Sequence, residues 1–474
     1  MHPACGNKKV IENSLNDLNT RFVASPDEIR AHLAQAVGQA NVEATMARVS
    51  GHLVAATKGV QTEQSLDDHE YVSRIDSVGR FQSILATVFQ DVPGLQGYGD
   101  KNPIWLTTLV ESAAHNVKSF FDRTRHDVVG GQPLWAALIS ELAKLPADGY
   151  LAPFPPGTPP TIQMPDDVKI ALLADWGGDN PAARRVADVV RKQSPQIAIH
   201  LGDVYYGGTE SECNTFLNLW PMPKPWKGSS YALNGNHEMY CGGQYYFQVI
   251  LGAFQQPQSF FCLENKYWRL IGLDSAYNKG TLKPRSADDP VTAQWNWLID
   301  LLKIKDAKAN ILLTHHQPVS AHRPEWLASE VLRAEVNEIL NMEGVGKDSI
   351  FGWFFGHEHR CAVYDDAATS FNARLIGNGC IPHLVQTEKD SDEGCTPFKY
   401  CNRKPIAGDP NAAVSSFAKL HFEGYEVQID YLDEDFCTLG AETWSQKTGR
   451  SDPRFPFQEY DAQQGESERS PAGV

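Results

Sequence analysis

The sequence has no long apolar run and no excess of basic residues. No uninterrupted apolar stretch is long enough to span a bilayer, and the opening MHPACGNKKV lacks the apolar centre of a secretory signal. Its net charge of −16 argues against binding nucleic acid through phosphate contacts. We therefore expect a cytoplasmic protein, or a secreted one if the chain is a processed form, that contacts neither membrane nor nucleic acid.

Cysteine pairs with metal-binding or redox spacing are also missing. The nine cysteines are scattered, and none of them forms a C-x-x-C motif. An odd, scattered set favours buried, reduced thiols over a disulfide framework. Reduced thiols agree with the expected cytoplasmic location. Any catalytic or metal-binding role is therefore expected from other residue types.

The length and the proline distribution predict two domains. A chain of 474 residues is longer than one hydrophobic core usually supports. Residues 1–145 show apolar residues at helical spacing, which predicts a helical domain or cap. Residues 146–166 are rich in proline and predict an extended linker. The main domain is expected at 167–445, and the polar residues 446–474 are expected to form a flexible tail.

The stretch from Val168 to Tyr206 predicts an α/β fold. Its two apolar runs, VKIALLA and IAIHL, have the composition of buried strands, and the segment between them begins with Asn180-Pro181, a helix start. Asp175 and Asp203 follow the two runs. Sites in open α/β sheets form beyond the carboxyl ends of the strands. Two carboxylates at that edge indicate a metal site.

Later apolar runs end in further metal-ligand residue types. A single such motif could be a helix cap or a turn, but a series of five in order favours one metal centre. The residues that follow these runs, including the first two, are Asp175, Asp203, Tyr206, Asn236, His237, His315, His316, His357 and His359.

The motifs DWGG, GDVYY, GNHE, LTHHQP and GHEH resemble the calcineurin-like metallophosphoesterase superfamily, and most of all the purple acid phosphatases of the small tartrate-resistant type. The resemblance covers about residues 168–385. It implies an α+β sandwich of two β-sheets flanked by helices, to which this chain adds the N-terminal all-helical region. Gly177 stands where most of the superfamily has a histidine. The purple branch replaces that ligand by a tyrosine three residues after the second aspartate, the position of Tyr206.

The resemblance also implies a ligand set. The first metal would be bound by Asp175, Asp203, Tyr206 and His359, and the second by Asp203, Asn236, His316 and His357. His316 is chosen over His315 because it fits the family's H-x-P pattern, which leaves His315 on the other face of the strand. A phenolate suits Fe(III) at the first position, whereas neutral ligands suit Fe(II), Zn or Mn at the second.

The implied activity is hydrolysis of phosphate esters, most of all phosphomonoesters, by in-line attack of a hydroxide that the two metals make available. His237 would contact the phosphoryl group, and His322 would protonate the leaving group. A phosphodiesterase or nuclease of the same superfamily is the alternative within the class. A non-catalytic metal-binding regulatory or scaffold module is the alternative of another class. The expected partner is a small-molecule phosphate ester, and no protein partner of the N-terminal region can be identified from the sequence.

Overall fold

The computed structural model describes residues 128–129, 132–133 and 152–450, with gaps at 179, 206–207, 279, 347, 366–368, 382–394 and 407–408. The chain divides into two compact units, and the second covers Ala152–Met239 and Gly243–Val474. In the N-terminal region, the described residues form one short antiparallel ladder between Val128–Val129 and Gln132–Pro133. The helices predicted for 1–145 and the part of the predicted tail 446–474 beyond residue 450 lie outside the described residues, whereas Gly449–Arg450 pairs with Thr438–Ser445.

The described residues form nineteen strands. They are β1 (Val128–Val129), β2 (Gln132–Pro133), β3 (Thr161–Gln163), β4 (Asp167–Leu173), β5 (Ile197–His200), β6 (Ser230–Ala232), β7 (Phe261–Glu264), β8 (Trp268–Gly272), β9 (Ala309–Leu313), β10 (Ile350–Phe355), β11 (Cys361–Tyr364), β12 (Asn372–Ile376), β13 (Phe398–Cys401), β14 (Pro405–Ile406), β15 (Asp409–Ala413), β16 (Ser416–Glu423), β17 (Glu426–Asp433), β18 (Thr438–Ser445) and β19 (Gly449–Arg450).

Five α-helices accompany the strands in the described part of the chain: α1 (Pro181–Gln193), α2 (Glu210–Leu219), α3 (Leu251–Phe254), α4 (Thr292–Lys303) and α5 (Arg323–Leu340). Helix α1 begins as the sequence predicts, because Asn180 caps it by accepting a hydrogen bond from the backbone N–H of Ala183 at 2.8 Å. Helix α2 begins with a capping box between Thr209 and Glu212. None of these helices combines the length and apolar character needed to cross a membrane.

Two large sheets build the second unit. The first has the order β13-β11-β12-β10-β9-β8-β7-β3, and the second has the order β19-β18-β17-β16-β4-β5-β6. Strands β8, β9, β10 and β12 are parallel in the first sheet, as are β4, β5 and β6 in the second. With helices on the outside, this confirms the expected fold of two sheets flanked by helices. Strands β16 and β17 form an antiparallel hairpin around Glu423-Gly424.

The main core lies between the two sheets, and a second core lies between the first sheet and its helices. Strand β9 shows why both exist, because side chains alternate between the two faces of a strand. Leu313 belongs to the core that contains Ile170 and Leu172 of β4, whereas Leu312 packs with Trp295 of α4. The parallel strands are thus covered on both sides, as their apolar composition predicts.

The proline-rich segment differs from the predicted linker. Thr161–Gln163 forms the edge strand β3, parallel to β7. Before it, Phe154 is buried and its ring lies 4.9 Å from that of Tyr277. The Tyr277 hydroxyl donates to the carbonyl oxygen of Ala152 at 2.8 Å. Residues 152–163 are therefore part of the folded unit, because even a proline-rich chain can add an edge strand and an aromatic anchor.

Candidate metal centre

The candidate residues singled out in the sequence lie, where the structure describes them, in loops at the carboxyl ends of parallel strands. In the second sheet, Asp175 follows β4, Asp203 follows β5, and Asn236 follows β6. In the first sheet, His315 follows β9, and His357 and His359 follow β10. Strand ends from two packed sheets thus supply one site.

Three of these loop residues have left-handed backbone conformations. Asp175, Asp203 and His357 have φ angles of 54°, 74° and 73°. Non-glycine residues rarely adopt positive φ, and such strain persists where surrounding contacts enforce it. One such contact joins two of them, since the backbone N–H of His357 donates to Asp175 Oδ2 at 2.9 Å. Each loop therefore turns sharply enough to present its side chain to the same space.

Glycines make room for the carboxylates. A Cβ on Gly356 would lie 2.3 Å from Asp175 Oδ2, and a Cβ on Gly235 would lie 2.3 Å from Asp203 Oδ1. A carbon and an oxygen atom that are not bonded do not approach that closely. A side chain at either glycine would therefore displace a carboxylate.

The first group of donors consists of Asp175, Asp203 and His359. One ligand atom from each lies within 4.8 Å of the others. The hydroxyl of Tyr205 lies at the same place, 3.0 Å from Asp175 Oδ1 and 3.0 Å from His359 Nε2. Two carboxylates, an imidazole and a phenol form a donor set that suits a hard cation.

The second group consists of Asp203, His315 and His357, whose ligand atoms also lie within 4.8 Å of one another. His315 Nε2 lies 2.8 Å from Asn236 Oδ1 and 3.2 Å from Asp203 Oδ1. Its Nδ1 lies 3.0 Å from the carbonyl oxygen of Leu201, so Nδ1 is the donor to that oxygen. This arrangement leaves Nε2 directed at the shared donors, as in a metal-ligating histidine.

The charges of the site depend on Asp203. Burial alone would raise the pKa of its carboxyl, but the nearby charges of His315 and His237 outweigh burial and lower that pKa well below its usual value. Burial, with the Asp203 charge adding to it, raises the pKa of Asp175 well above its usual value. Burial lowers the pKa of His315, yet the carboxylates of Asp203 and Asp175 raise it to about 9. Two buried carboxylates with converging donors fit bound cations.

His316 occupies a different place from the one predicted. Its Nδ1 lies 3.0 Å from Ser275 Oγ, and its ring packs 4.7 Å from that of His357. The structure brings His315, rather than His316, to Asp203 and Asn236. The reason is strand alternation, because His315 shares the side of Leu313, which faces the other sheet. The H-x-P spacing does not contain this information.

Tyr206 lies outside the described residues, so its assignment as a ligand stays a prediction. The structure instead shows Tyr205 beside the first donor group. Sequence reasoning missed Tyr205, although it stands in the same GDVYY motif.

The two histidines assigned to catalysis lie in different surroundings. His237 is buried, its backbone N–H donates to Asp203 Oδ1 at 3.1 Å, and its ring lies edge-on to Tyr205 at 4.6 Å. His322 precedes α5, and its ring lies edge-on to Phe398 at 5.8 Å. Of the two, His237 is the one that the structure places in contact with the donor groups.

Glu238 is a second residue that sequence reasoning missed. Its Oε2 accepts hydrogen bonds from the backbone N–H of Asp203 at 3.0 Å and of Gly235 at 3.1 Å. Burial, with the Asp203 charge adding to it, raises the pKa of Glu238 to about 8. The feature of the sequence that could have identified Glu238 is its position in the GNHE motif, next to the residues singled out as ligands.

Residues 168–361 match the family model of calcineurin-like phosphoesterase. Over those residues, the match agrees with the superfamily that the motifs indicate. A search of curated proteins finds no match to the chain.

Solved structures with a similar course of the chain include GAP50, the anchor in the inner membrane complex of Plasmodium, at 12% identity and a TM-score of 0.45, covering 58% of this chain and 87% of that one. The purple acid phosphatase PPD1 from yellow lupin (Lupinus luteus) matches at 14% identity and a TM-score of 0.42, covering 59% and 54%. A single mutant of Vps29 from Entamoeba histolytica matches at 10% identity and a TM-score of 0.26, covering 58% and 98%. At such scores these likenesses carry no argument about the site.

Proposed function

We propose that the domain at 167–445 is a dimetal hydrolase that cleaves phosphate esters and that its substrates are phosphomonoesters. The observation that carries this proposal is the position of Asp203 in both donor groups. A carboxylate shared by two adjacent donor sets is what a two-metal centre requires. Such a centre can bind both the attacking and the leaving oxygen of an in-line displacement.

The residues divide into two ligand sets. Asp175, Asp203, His359 and the neighbouring phenol would hold the first metal, and Asp203, Asn236, His315 and His357 would hold the second. When bound, the metals supply Lewis-acid charge and lower the pKa of water towards neutrality. An anionic, phenol-containing set suits Fe(III), and a set with a neutral amide and two imidazoles suits Fe(II), Zn or Mn.

His237 is the residue we assign to the phosphoryl group. Its backbone is fixed by Asp203, and its imidazole is buried against Tyr205, so the ring is preorganised beside both donor groups. A preorganised donor that meets charge as it develops lowers the barrier of group transfer. His322 remains our prediction for the acid that protonates the leaving group, from its place at the start of α5.

The test uses the full chain, a metal assay and two nitrophenyl esters. We expect two metals per chain, hydrolysis of 4-nitrophenyl phosphate well above that of bis(4-nitrophenyl) phosphate, and loss of activity on chelation. Asp203→Asn should lose both metals and fall to the background rate. The matched control is Asp188→Asn on α1, whose carboxylate is exposed and pairs with Arg191 on the same helix.

The outcomes separate the alternatives. Faster cleavage of the diester would assign the protein to the phosphodiesterase side of the superfamily. Two bound metals without turnover on a broad panel of esters would assign it to the non-catalytic class and refute the proposal.

A further inference from the structure

We propose that the tyrosine ligand of the first metal is Tyr205, one residue earlier than the spacing of the purple phosphatases predicts. The inference rests on the proposed dimetal centre, but it concerns which side chain of this chain completes it. Tyr205, two residues after Asp203, then takes the ligand position that the D-x-x-Y pattern of the purple phosphatases gives to Tyr206.

The contacts of the Tyr205 hydroxyl are those of a ligand. Its oxygen lies 3.0 Å from Asp175 Oδ1, 3.0 Å from His359 Nε2 and 3.4 Å from Asp203 Oδ2. A phenol carries a single proton, so it cannot donate fully to both carboxylates, and in its contact with His359 Nε2 the imidazole tautomer decides which group donates. A cation among the four atoms would satisfy all of them, with the phenol proton released to solvent.

The backbone explains how a residue only two positions after Asp203 reaches the site. Gly202 has a φ of 98° and Asp203 has a φ of 74°. Positive φ angles at two successive residues turn the chain sharply at this point. The turn directs the Tyr205 ring edge-on to His237, at 4.6 Å between ring centroids.

Glu238 contacts the backbone on both sides of Tyr205, at Asp203 and at Gly208. Glu238 Oε2 accepts from the backbone N–H of Asp203 at 3.0 Å. At the other end, a Cβ on Gly208 would lie 2.5 Å from the Cα of Glu238, so the backbone of the loop is in tight contact there. The backbone on which Tyr205 follows Asp203 is therefore fixed at Asp203 by Glu238.

Gly177 shows why a ligand is needed from this loop. It has a φ of 127°, and a Cβ there would lie 2.8 Å from Cδ2 of Phe216. Phe216 is fully buried, so it cannot move aside easily. A histidine at position 177, the ligand that most of the superfamily uses, does not fit this backbone. The Tyr205 oxygen occupies the space beside Asp175 instead.

The test compares Tyr205→Phe with its matched neighbour Tyr206→Phe in the full-length protein loaded with iron. The readouts are the visible tyrosinate-to-Fe(III) absorption band, the resonance Raman modes of the tyrosinate, and iron per chain. We expect Tyr205→Phe to lose the band and the modes, and Tyr206→Phe to keep both. Loss of the band in Tyr206→Phe with retention in Tyr205→Phe would overturn the inference.

A second measurement tests the inference for a metal centre that contains no iron. After equilibration with Zn or Mn, metal affinity at one of the two positions should be at least tenfold weaker in Tyr205→Phe and unchanged in Tyr206→Phe. Equal metal retention by both variants would overturn the inference. The unfolding of the metal-free variants shows whether both are folded. A protein that binds metals through Tyr205 but hydrolyses no ester refutes the proposed function and leaves this inference intact.

Discussion

Glu238 Oε2 lies 3.0 Å from the backbone nitrogen of Asp203, the residue common to both donor groups. The same oxygen lies 3.1 Å from the backbone nitrogen of Gly235, next to Asn236. One buried carboxylate thus joins the loop after β5 to the loop after β6. We infer that it fixes the distance between the shared aspartate and the amide ligand.

Substitution of Glu238 should weaken the binding of both metals. Glu238→Ala leaves two buried N–H groups without their acceptor, at about 1–3 kcal/mol each. We expect the free energy of unfolding of the metal-free protein to fall by about 2–6 kcal/mol and metal affinity to fall by about 10–100-fold. Urea unfolding and metal titration measure the two effects.

Glu238→Gln should be much milder, because the amide oxygen can still accept from both N–H groups. Glu210→Ala, at an exposed position of α2, provides a control for loss of a glutamate. Wild-type metal affinity in Glu238→Ala would contradict the positioning role.

Substitution of His315 and substitution of His316 should have clearly different effects on metal binding and activity. His315→Ala removes an imidazole whose Nε2 lies 2.8 Å from Asn236 Oδ1, so we expect loss of the second metal and activity at background. His316→Ala removes a ring that contacts Ser275 and packs on His357, so we expect two metals per chain and activity reduced by no more than about 10–100-fold. Metal analysis after gel filtration gives the answer, and the reverse pattern would restore the H-x-P assignment.

The sequence patterns predict where the loops lie better than they predict which way the side chains in those loops point. Asp175, Asp203 and Asn236 follow apolar runs, and because such runs are short buried strands, their ends can be read locally. The choice between His315 and His316 depends on which face of β9 meets the other sheet. That is a property of long-range pairing, which spacing along the chain does not contain.

Two further differences have the same kind of cause. Tyr205 lies beside the donor group because of the φ angles of Gly202 and Asp203, which spacing along the chain does not show. Thr161–Gln163 becomes an edge strand because β7, about a hundred residues later, offers an unpaired edge. Proline content alone favoured a linker there.

The buried pair Arg374–Glu442 links the two sheets, and removal of one partner should be strongly destabilising. Arg374 of β12 and Glu442 of β18 are joined by two bonds, of 2.6 and 2.7 Å, and both side chains are fully buried. Removing one partner leaves a buried, unpaired charge. We therefore expect Glu442→Leu to lower the free energy of unfolding by about 3–5 kcal/mol in denaturant titrations.

The double variant Arg374→Met/Glu442→Leu tests the cause of that loss. Since it removes both charges, it should be more stable than Glu442→Leu alone, although Tyr431 and Trp444 lose their acceptor in either case. The exposed pair Lys283–Glu338 serves as a control, and Glu338→Leu should change stability by less than about 1 kcal/mol. A double variant less stable than the single one would contradict this account.

The buried His200 should make the metal-free protein acid-sensitive. Its Nε2 donates to the carbonyl oxygen of Trp176 at 2.7 Å, and burial lowers its pKa from 6.5 to about 3. The unfolded chain therefore binds a proton between these two values that the folded chain does not. This contribution to stability is complete above pH 6.5 and is lost as the pH falls towards 3, by about 1.4 kcal/mol per pH unit.

Replacement by a side chain that does not titrate isolates this effect. His200→Gln retains an N–H donor but loses the proton uptake on unfolding. Urea titrations of the chelated proteins at about pH 7 and about pH 5.5 should show a smaller loss of stability for His200→Gln than for the wild type. The comparison uses the change between the two pH values, because the substitution also alters packing against Phe216 at both. An identical pH dependence in the two proteins would show that His200 does not take up the proton.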